Sequence, residues 1–455
     1  MLTFSRSFLA ISIVFLFSCN KEEISRKGLL LDINSAANQA SVSGQPEMVP
    51  NELLVKFKKG TSIQGRAKAF GLLNAAVKEH IHTASMKHFG DDQGVFLLKV
   101  NANALDAITK AKGLGEVEYA EPNWVYYHDA ASNDTYFTNG SLWGMNGTFG
   151  SGASVAWGNN KTGSSSVYVG IIDEGYMYTH EDLSANAGKN PGETDGNGTD
   201  DDGNGYIDDV YGWDFDGDNN TVFDGTGDDH GTHVAGTIGG VGANGIGVAG
   251  INWSVKLLNA KFLGTNGGTT ANAIKAVDYF TTLKTRATNK IDIVATNNSW
   301  GGGGYTQALY DAIERANAAG ILFIVAAGNS SANIDKRLSY PAAYSNSNII
   351  SVASITSTGA LSSFSNYGLK NVDLGAPGSA IYSSLPGTNG ISTYGSYSGT
   401  SMATPHVTGA AALYKSINPS ATAAQIKAAI LGSVTSTTSL SGKTVTGGRL
   451  NVSGF

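Results

Sequence analysis

The sequence predicts an α/β protein: a large, doubly wound, mostly parallel sheet with helices on both faces, preceded by a small βαββαβ unit of ferredoxin-like order. Three observations predict it. Short strand-like and helix-like runs follow one another in that order between residues 50 and 121. Beyond Asn133, apolar strand runs alternate with helices that open on glycine-rich segments. A chain of 455 residues that is 41% hydrophobic and 15% charged also has the apolar content to fill more than one core.

In the small unit, ELLVKFK at 52–58 alternates as a strand, 61–75 reads as a helix and 77–84 as a second strand. A strand at 95–100 follows, then a helix at 102–112 with Leu105 and Ile108 three apart, then a strand at 116–120. The stretch 119–124 is expected to continue as an extended arm. His80, His82 and His88 have no Cys to complete a metal site, so they read as surface or strand histidines. In the large unit, apolar runs at 167–172, 291–295 and 321–326 read as buried strands.

Charge is distributed unevenly. The chain carries 30 Lys+Arg against 37 Asp+Glu, a net −7. Twelve Asp and one Glu, with no Lys or Arg, fall within 193–229, so the remainder has 30 basic against 24 acidic residues. The acid is therefore a local device, and nothing in the balance points to a nucleic-acid partner. The 59 Gly have no three-residue period, which excludes a collagen-like chain. A single Cys excludes a disulfide framework within the chain, so an exported form must rely on core burial or bound ions.

Residues 1–19 read as an export signal: Arg6 opens it, 8–17 is apolar, and small Ser18 precedes Cys19. The run is too short to span a bilayer. Leu16-Phe17-Ser18-Cys19 resembles a bacterial lipoprotein box, which would make Cys19 a lipidated N-terminus. The chain is then expected to be exported, as an outer-membrane or cell-surface lipoprotein or as a secreted protein. Residues 20–47 are polar and aperiodic, as in a linker. The expected domains are 48–126 and 127–455, the second with the acidic insertion at 193–229.

Four strand–helix junctions carry chemistry-bearing residues, where an open α/β sheet collects its working groups. SVYVGIIDEG delivers Asp173 at a strand end. DDHGTHVAGTIGG places His230 at a helix start, and His233 reads as a buried structural residue; their spacing of three without an intervening Glu does not fit a zinc-protease helix. ILFIVAAGNSS runs a strand into Gly328 and Asn329. YSGTSMATPHVTGAAAL puts Ser401 in the first turn of a small-residue helix, where free N–H groups favour negative charge. Pro405 cannot donate to the carbonyl of Ser401, so this turn departs from a regular helix.

These four segments, in the order Asp, His, Asn, Ser, resemble the subtilisin-like serine proteases. HGTHVAGT and GTSMATPHV carry the resemblance, which extends over about 52–455: the small unit is similar to the family's inhibitory propeptide, and GGRLNV near the end also matches. The resemblance implies a serine endopeptidase made as a self-processing zymogen. It implies Ser401 as nucleophile, His230 as the base that takes and returns its proton, Asp173 as the group fixing the imidazole, and Asn329 in the oxyanion hole. It implies protein or peptide substrates, the chain's own propeptide as intramolecular inhibitor, and a monomer. Self-cleavage is expected between 121 and 136.

In the family, the segment matching TNNSWGGGG (296–304) is an exposed edge that pairs with extended substrate. Ser299, Trp300 and Gly301 are expected on that edge, and Ala326, Ala327 and Gly328 on a second wall. Within the acidic stretch, DDDGNGYIDD matches the first half of a calcium loop, with Asp200, Asp202, Asn204, the Tyr206 carbonyl, Asp208 and Asp209 as ligands of a structural Ca2+. An EF-hand would need Glu where Tyr211 stands. Glu174 departs from the small hydroxyl residue usual in the family after the catalytic Asp, and is expected to face solvent. Two other classes stay open on the residues: a catalytically silent binding module of subtilase type, and a calcium-dependent adhesion protein.

Overall fold

The structure, a computed structural model, describes residues 48–101, 103–124 and 132–455. The export signal, Cys19, the linker and residues 125–131 of the expected self-cleavage region lie outside the described residues. The chain divides into two compact units between Trp124 and Val125.

The first unit runs β1 (Met48–Phe57), α1 (Ile63–Leu73), β2 (Ala75–Ile81), a one-turn helix α2 (Ala84–His88), β3 (Val95–Val100), α3 (Ala104–Lys112) and β4 (Val117–Trp124). Its sheet has the order β2-β3-β1-β4 with antiparallel neighbours, the split arrangement expected. Ser62 caps α1 by accepting from Gly65 N. Helix α3 buries Ala104, Ala107, Ile108 and Ala111 against Leu53, Val55, Phe57 and Leu98, whereas Leu105 is 37% exposed. The core stripe thus follows the 3.6-residue period through the alanines and not through the Leu105–Ile108 pair.

The expected arm at 119–124 is corrected: these residues are the edge strand β4, paired with β1 through Leu53↔Pro122 and Met48↔Trp124. Pro122 is tolerated because an edge strand has one unpaired side. His80 and His82 bond the carbonyls of Gln93 and Asp91, and His80 stacks on Phe96.

The second unit opens with three short helices, α4 (Thr135–Thr138), α5 (Trp143–Asn146) and α6 (Ala153–Gly158). It continues with β5 (Gly163–Asp173), β6 (Gly212–Asp214), α7 (Asp229–Gly239), β7 (Ser254–Lys261), α8 (Thr270–Thr285), β8 (Ile293–Asn298), α9 (Gln307–Ala318) and β9 (Leu322–Ala326). Then come β10 (Ile349–Ile355), β11 (Leu374–Pro377), the hairpin β12 (Ile381–Pro386) and β13 (Ser392–Tyr397), α10 (Thr400–Ile417), α11 (Ala423–Gly432), β14 (Thr435–Ser436) and β15 (Gly448–Arg449). The main sheet has the order β14-β15-β11-β10-β9-β8-β5-β7-β6 and is parallel except for the β14–β15 pair.

Each central strand feeds two cores because its side chains alternate. In β9, Leu322 and Ile324 pack with α7 and α10, while Phe323 and Val325 pack with α8 and α9. From β5 the chain crosses to the edge strand β6, returns to β7 beside β5, and then builds outward through β8, β9 and β10 on the other side. Strand β5 is therefore the topological switch, and its carboxyl end carries Asp173.

Candidate active site

Asp173 closes β5, with its side chain wholly buried. Its Oδ1 accepts from Glu174 N at 2.9 Å and meets His230 Nδ1 at 2.9 Å. A buried carboxylate at Nδ1 fixes the imidazole tautomer and leaves Nε2 as the basic nitrogen. His230 sits in the first turn of α7, and that turn lies close to the strand end because residue 231 is glycine. A Cβ on Gly231 would stand 2.0 Å from the Gly175 carbonyl oxygen, so any larger residue would push His230 off Asp173. Burial works against the imidazolium, but the Asp173 charge and hydrogen bond, with Glu174 and Asp229, outweigh it and hold the His230 pKa up to about 9.

Glu174 does not face solvent, which corrects the expectation. It is half-buried and folds onto the start of α7, where Oε1 accepts from His230 N at 2.5 Å and Gly231 N at 3.4 Å. Burial first, then the neighbouring Asp173 charge, pushes its carboxyl up to about 7. His233 is buried one turn on; it bonds the Ile381 carbonyl and stacks on Tyr397.

Helices α7 and α10 pack together, so His230 and Ser401 occupy the first turns of neighbouring helices. Ser401 Oγ donates to the Ser299 carbonyl at 3.1 Å, and Ser299 Oγ donates back to the Ser401 carbonyl at 2.9 Å. The second bond satisfies the carbonyl that Pro405 cannot reach, so the irregular first turn is repaired from outside the helix. Ser401 and His230 form no hydrogen bond in this resting arrangement. A proton transfer from this hydroxyl to His230 would need it to turn from Ser299 toward Nε2, a tightening usual on substrate binding.

Asn329 follows β9. Its Oδ1 accepts from Thr400 N at 2.8 Å and Thr400 Oγ1 at 2.9 Å, which fixes the amide and presents Nδ2. A Cβ built on Gly399 would lie 3.6 Å from Asn329 Nδ2 and 3.5 Å from Ser401 N. Two N–H donors thus converge on the space beside Gly399, the arrangement that receives a developing oxyanion. Replacing Asn329 by Ala is expected to lower kcat about 100- to 1000-fold with KM little changed, measured on a peptide ester or anilide.

Of the expected substrate wall, Gly301 is exposed at the end of the segment after β8, beside the carbonyl of Tyr340. Ser299 is buried and belongs to the clamp on Ser401. The partly buried Trp300 ring packs edge-on against Phe262 and Phe323 at the margin of the core, which anchors the edge on that side. Ala326 and Ala327 are buried at the end of β9, and Gly328 N donates to Thr400 Oγ1.

The acidic stretch folds into a hydrogen-bonded loop. Asp200 accepts from the N–H groups of Gly203, Asn204 and Gly205, and Glu193 from those of Asp201, Asp202 and Asp208. Carboxylate oxygens of Glu193, Asp200 and Asp202 lie within 4.8 Å of one another, and Asp202 also pairs with Arg286. Oxygens around one calcium ion stand at most about 5 Å apart, so this trio fits such an ion. Asp208 and Asp209 stand outside this trio of carboxylates, and Asn204 is bonded within the loop, its amide donating to Asp209. Asp208 accepts from Asn197 N and Gly198 N; buried Asp209 accepts from Tyr279, Asn190 and Asn204; and the Tyr206 ring packs on Trp213 and Phe215. Glu193 went unread because it lies seven residues before the aspartate run.

The family model described as "Subtilase family" matches residues 164–449, and that of the fervidolysin N-terminal prodomain matches 34–123. An "Extracellular protease" of Xanthomonas campestris pv. campestris is 35% identical over 67% of this chain, which spans only 53% of that protein's length. A "Thermophilic serine proteinase" of Bacillus sp. (strain AK1) is 32% identical over 81% of this chain and 78% of its own. Among solved structures, a protease from Pseudoalteromonas arctica superposes with a TM-score of 0.56 at 27% identity, covering 71% of this chain and 98% of that one.

Proposed function

The chain belongs to the subtilase family, and from that premise we propose that it is a serine endopeptidase made as a zymogen. The observation that carries the proposal is the buried Asp173–His230 pair at 2.9 Å, with Ser401 in the first turn of the adjoining helix. Ser401 Oγ attacks the scissile carbonyl as its proton passes to His230 Nε2; Asp173 steadies the resulting imidazolium. Asn329 Nδ2 and Ser401 N hold the oxyanion until His230 returns the proton to the leaving amine. Water then repeats the sequence on the acyl-enzyme. Neither the silent module nor the adhesion protein accounts for this convergence of groups.

Substrate binds as an extended strand along the segment ending at Gly301, so recognition is mostly through backbone hydrogen bonds. The match of 34–123 to a prodomain supports the small unit as intramolecular inhibitor. Export, as a secreted monomer or anchored through a lipid on Cys19, is the setting we propose, in line with the extracellular Xanthomonas relative. Purified, processed protein should release new N-termini from an unfolded protein substrate. A folded, processed sample that releases none would overturn the proposal.

We further propose that Glu193, Asp200 and Asp202 hold a structural Ca2+, which would neutralise carboxylates that otherwise repel one another. Chelation is expected to lower the melting temperature and, through it, the activity, with both restored by added calcium. A melting curve unchanged by chelator would count against this site.

A further inference from the structure

We propose that Glu174 is a positioning residue of this site: its carboxylate ties the end of β5 to the first turn of α7 and sets a second negative charge beside the His230 imidazole. The inference rests on the protease reading above. Helix α7 lacks a side-chain cap from its own N-cap residue, Asp228, which is engaged with Lys261 at 2.7 Å. The N–H groups of its first turn therefore need an acceptor from outside. Glu174 supplies one at 2.5 Å from His230 N, while the preceding residue, Asp173, holds the ring of the same histidine. Two consecutive carboxylates thus grip His230 at backbone and side chain, so its position relative to β5 is set twice.

Asp229 adds a carboxylate on α7 and accepts from Tyr397 OH of β13; Lys261 of β7 is shared by Asp224 and Asp228; His233, also on α7, is kept neutral by burial, its pKa down to about 3. Among the described residues, the cation that ranks with the chief influences on the Glu174 carboxyl is the imidazolium of His230 itself. An ionised Glu174 consequently favours the protonated ring, and a base that must be neutral to act becomes available only at higher pH. Removing the charge lowers the imidazole pKa and moves the acidic limb of the pH–rate profile downward.

The test is the pH dependence of kcat/KM for wild type, Glu174→Gln and Glu174→Asp. Glutamine keeps an oxygen acceptor for the two N–H groups and removes the charge. Aspartate keeps the charge and shortens the reach. Glu174→Gln should shift the acidic limb down by about half to one pH unit. Glu174→Asp should leave the limb in place and lower the plateau several-fold. A Glu174→Gln limb that coincides with wild type overturns the inference, as does an unchanged Glu174→Asp plateau. A wild type without peptidase activity would instead remove the protease reading itself.

Discussion

Replacing Ser401 by Ala is expected to lower kcat about a million-fold and to leave the chain whole. The nucleophile is the one group in the site for which no neighbour substitutes. Ser299 Oγ also lies close, but it is buried and donates to the Ser401 carbonyl, so it is not free to attack. The readout is double. Steady-state hydrolysis of a small ester gives the kinetic loss, and N-terminal sequencing gives the processing: wild type should lose the small unit by a cut between 121 and 136, and the variant should retain it. Alanine removes one oxygen from a half-exposed position, so the melting temperature should move little.

Replacing Asp173 by Asn is expected to lower kcat about 10,000-fold near neutral pH while keeping the fold. The carboxylate does two things that an amide cannot. It accepts from Nδ1, which leaves Nε2 unprotonated and ready, and it opposes the desolvation of the imidazolium. An amide that donates to Nδ1 stabilises the wrong tautomer. The variant should still bind a substrate-like inhibitor with nearly wild-type affinity, because the edge ending at Gly301 and the donors beside Gly399 are untouched. A tenfold loss or less would mean that His230 is not the base.

Much of this was legible in the sequence, and the parts that were not share a cause. Strands such as 321–326 are continuous apolar runs because both faces of a parallel strand are buried, and the run itself announces this. Asp173, His230, Asn329 and Ser401 stand at strand–helix junctions in local motifs, so their positions needed no tertiary information. Side-chain direction did need it. Glu174 turns inward because the uncapped start of α7 lies within its reach, and the partly buried Trp300 leans its ring on Phe262 and Phe323. Among the acids, Asp208 and Asp209 were drawn to N–H, amide and hydroxyl donors from neighbouring segments, which a ligand-spacing pattern cannot register. Residues 119–124, expected as an extended arm, instead pair with β1, because an edge position accepts Pro122.

The central claim is that Ser401 is an activated nucleophile served by His230. Peptide mapping of a fluorophosphonate adduct on the processed protein tests it most directly. The account predicts a single adduct on Ser401 in wild type, formed orders of magnitude more slowly in His230→Ala and absent in Ser401→Ala. A folded wild type that takes no adduct, or one that takes it on a different serine, would contradict it.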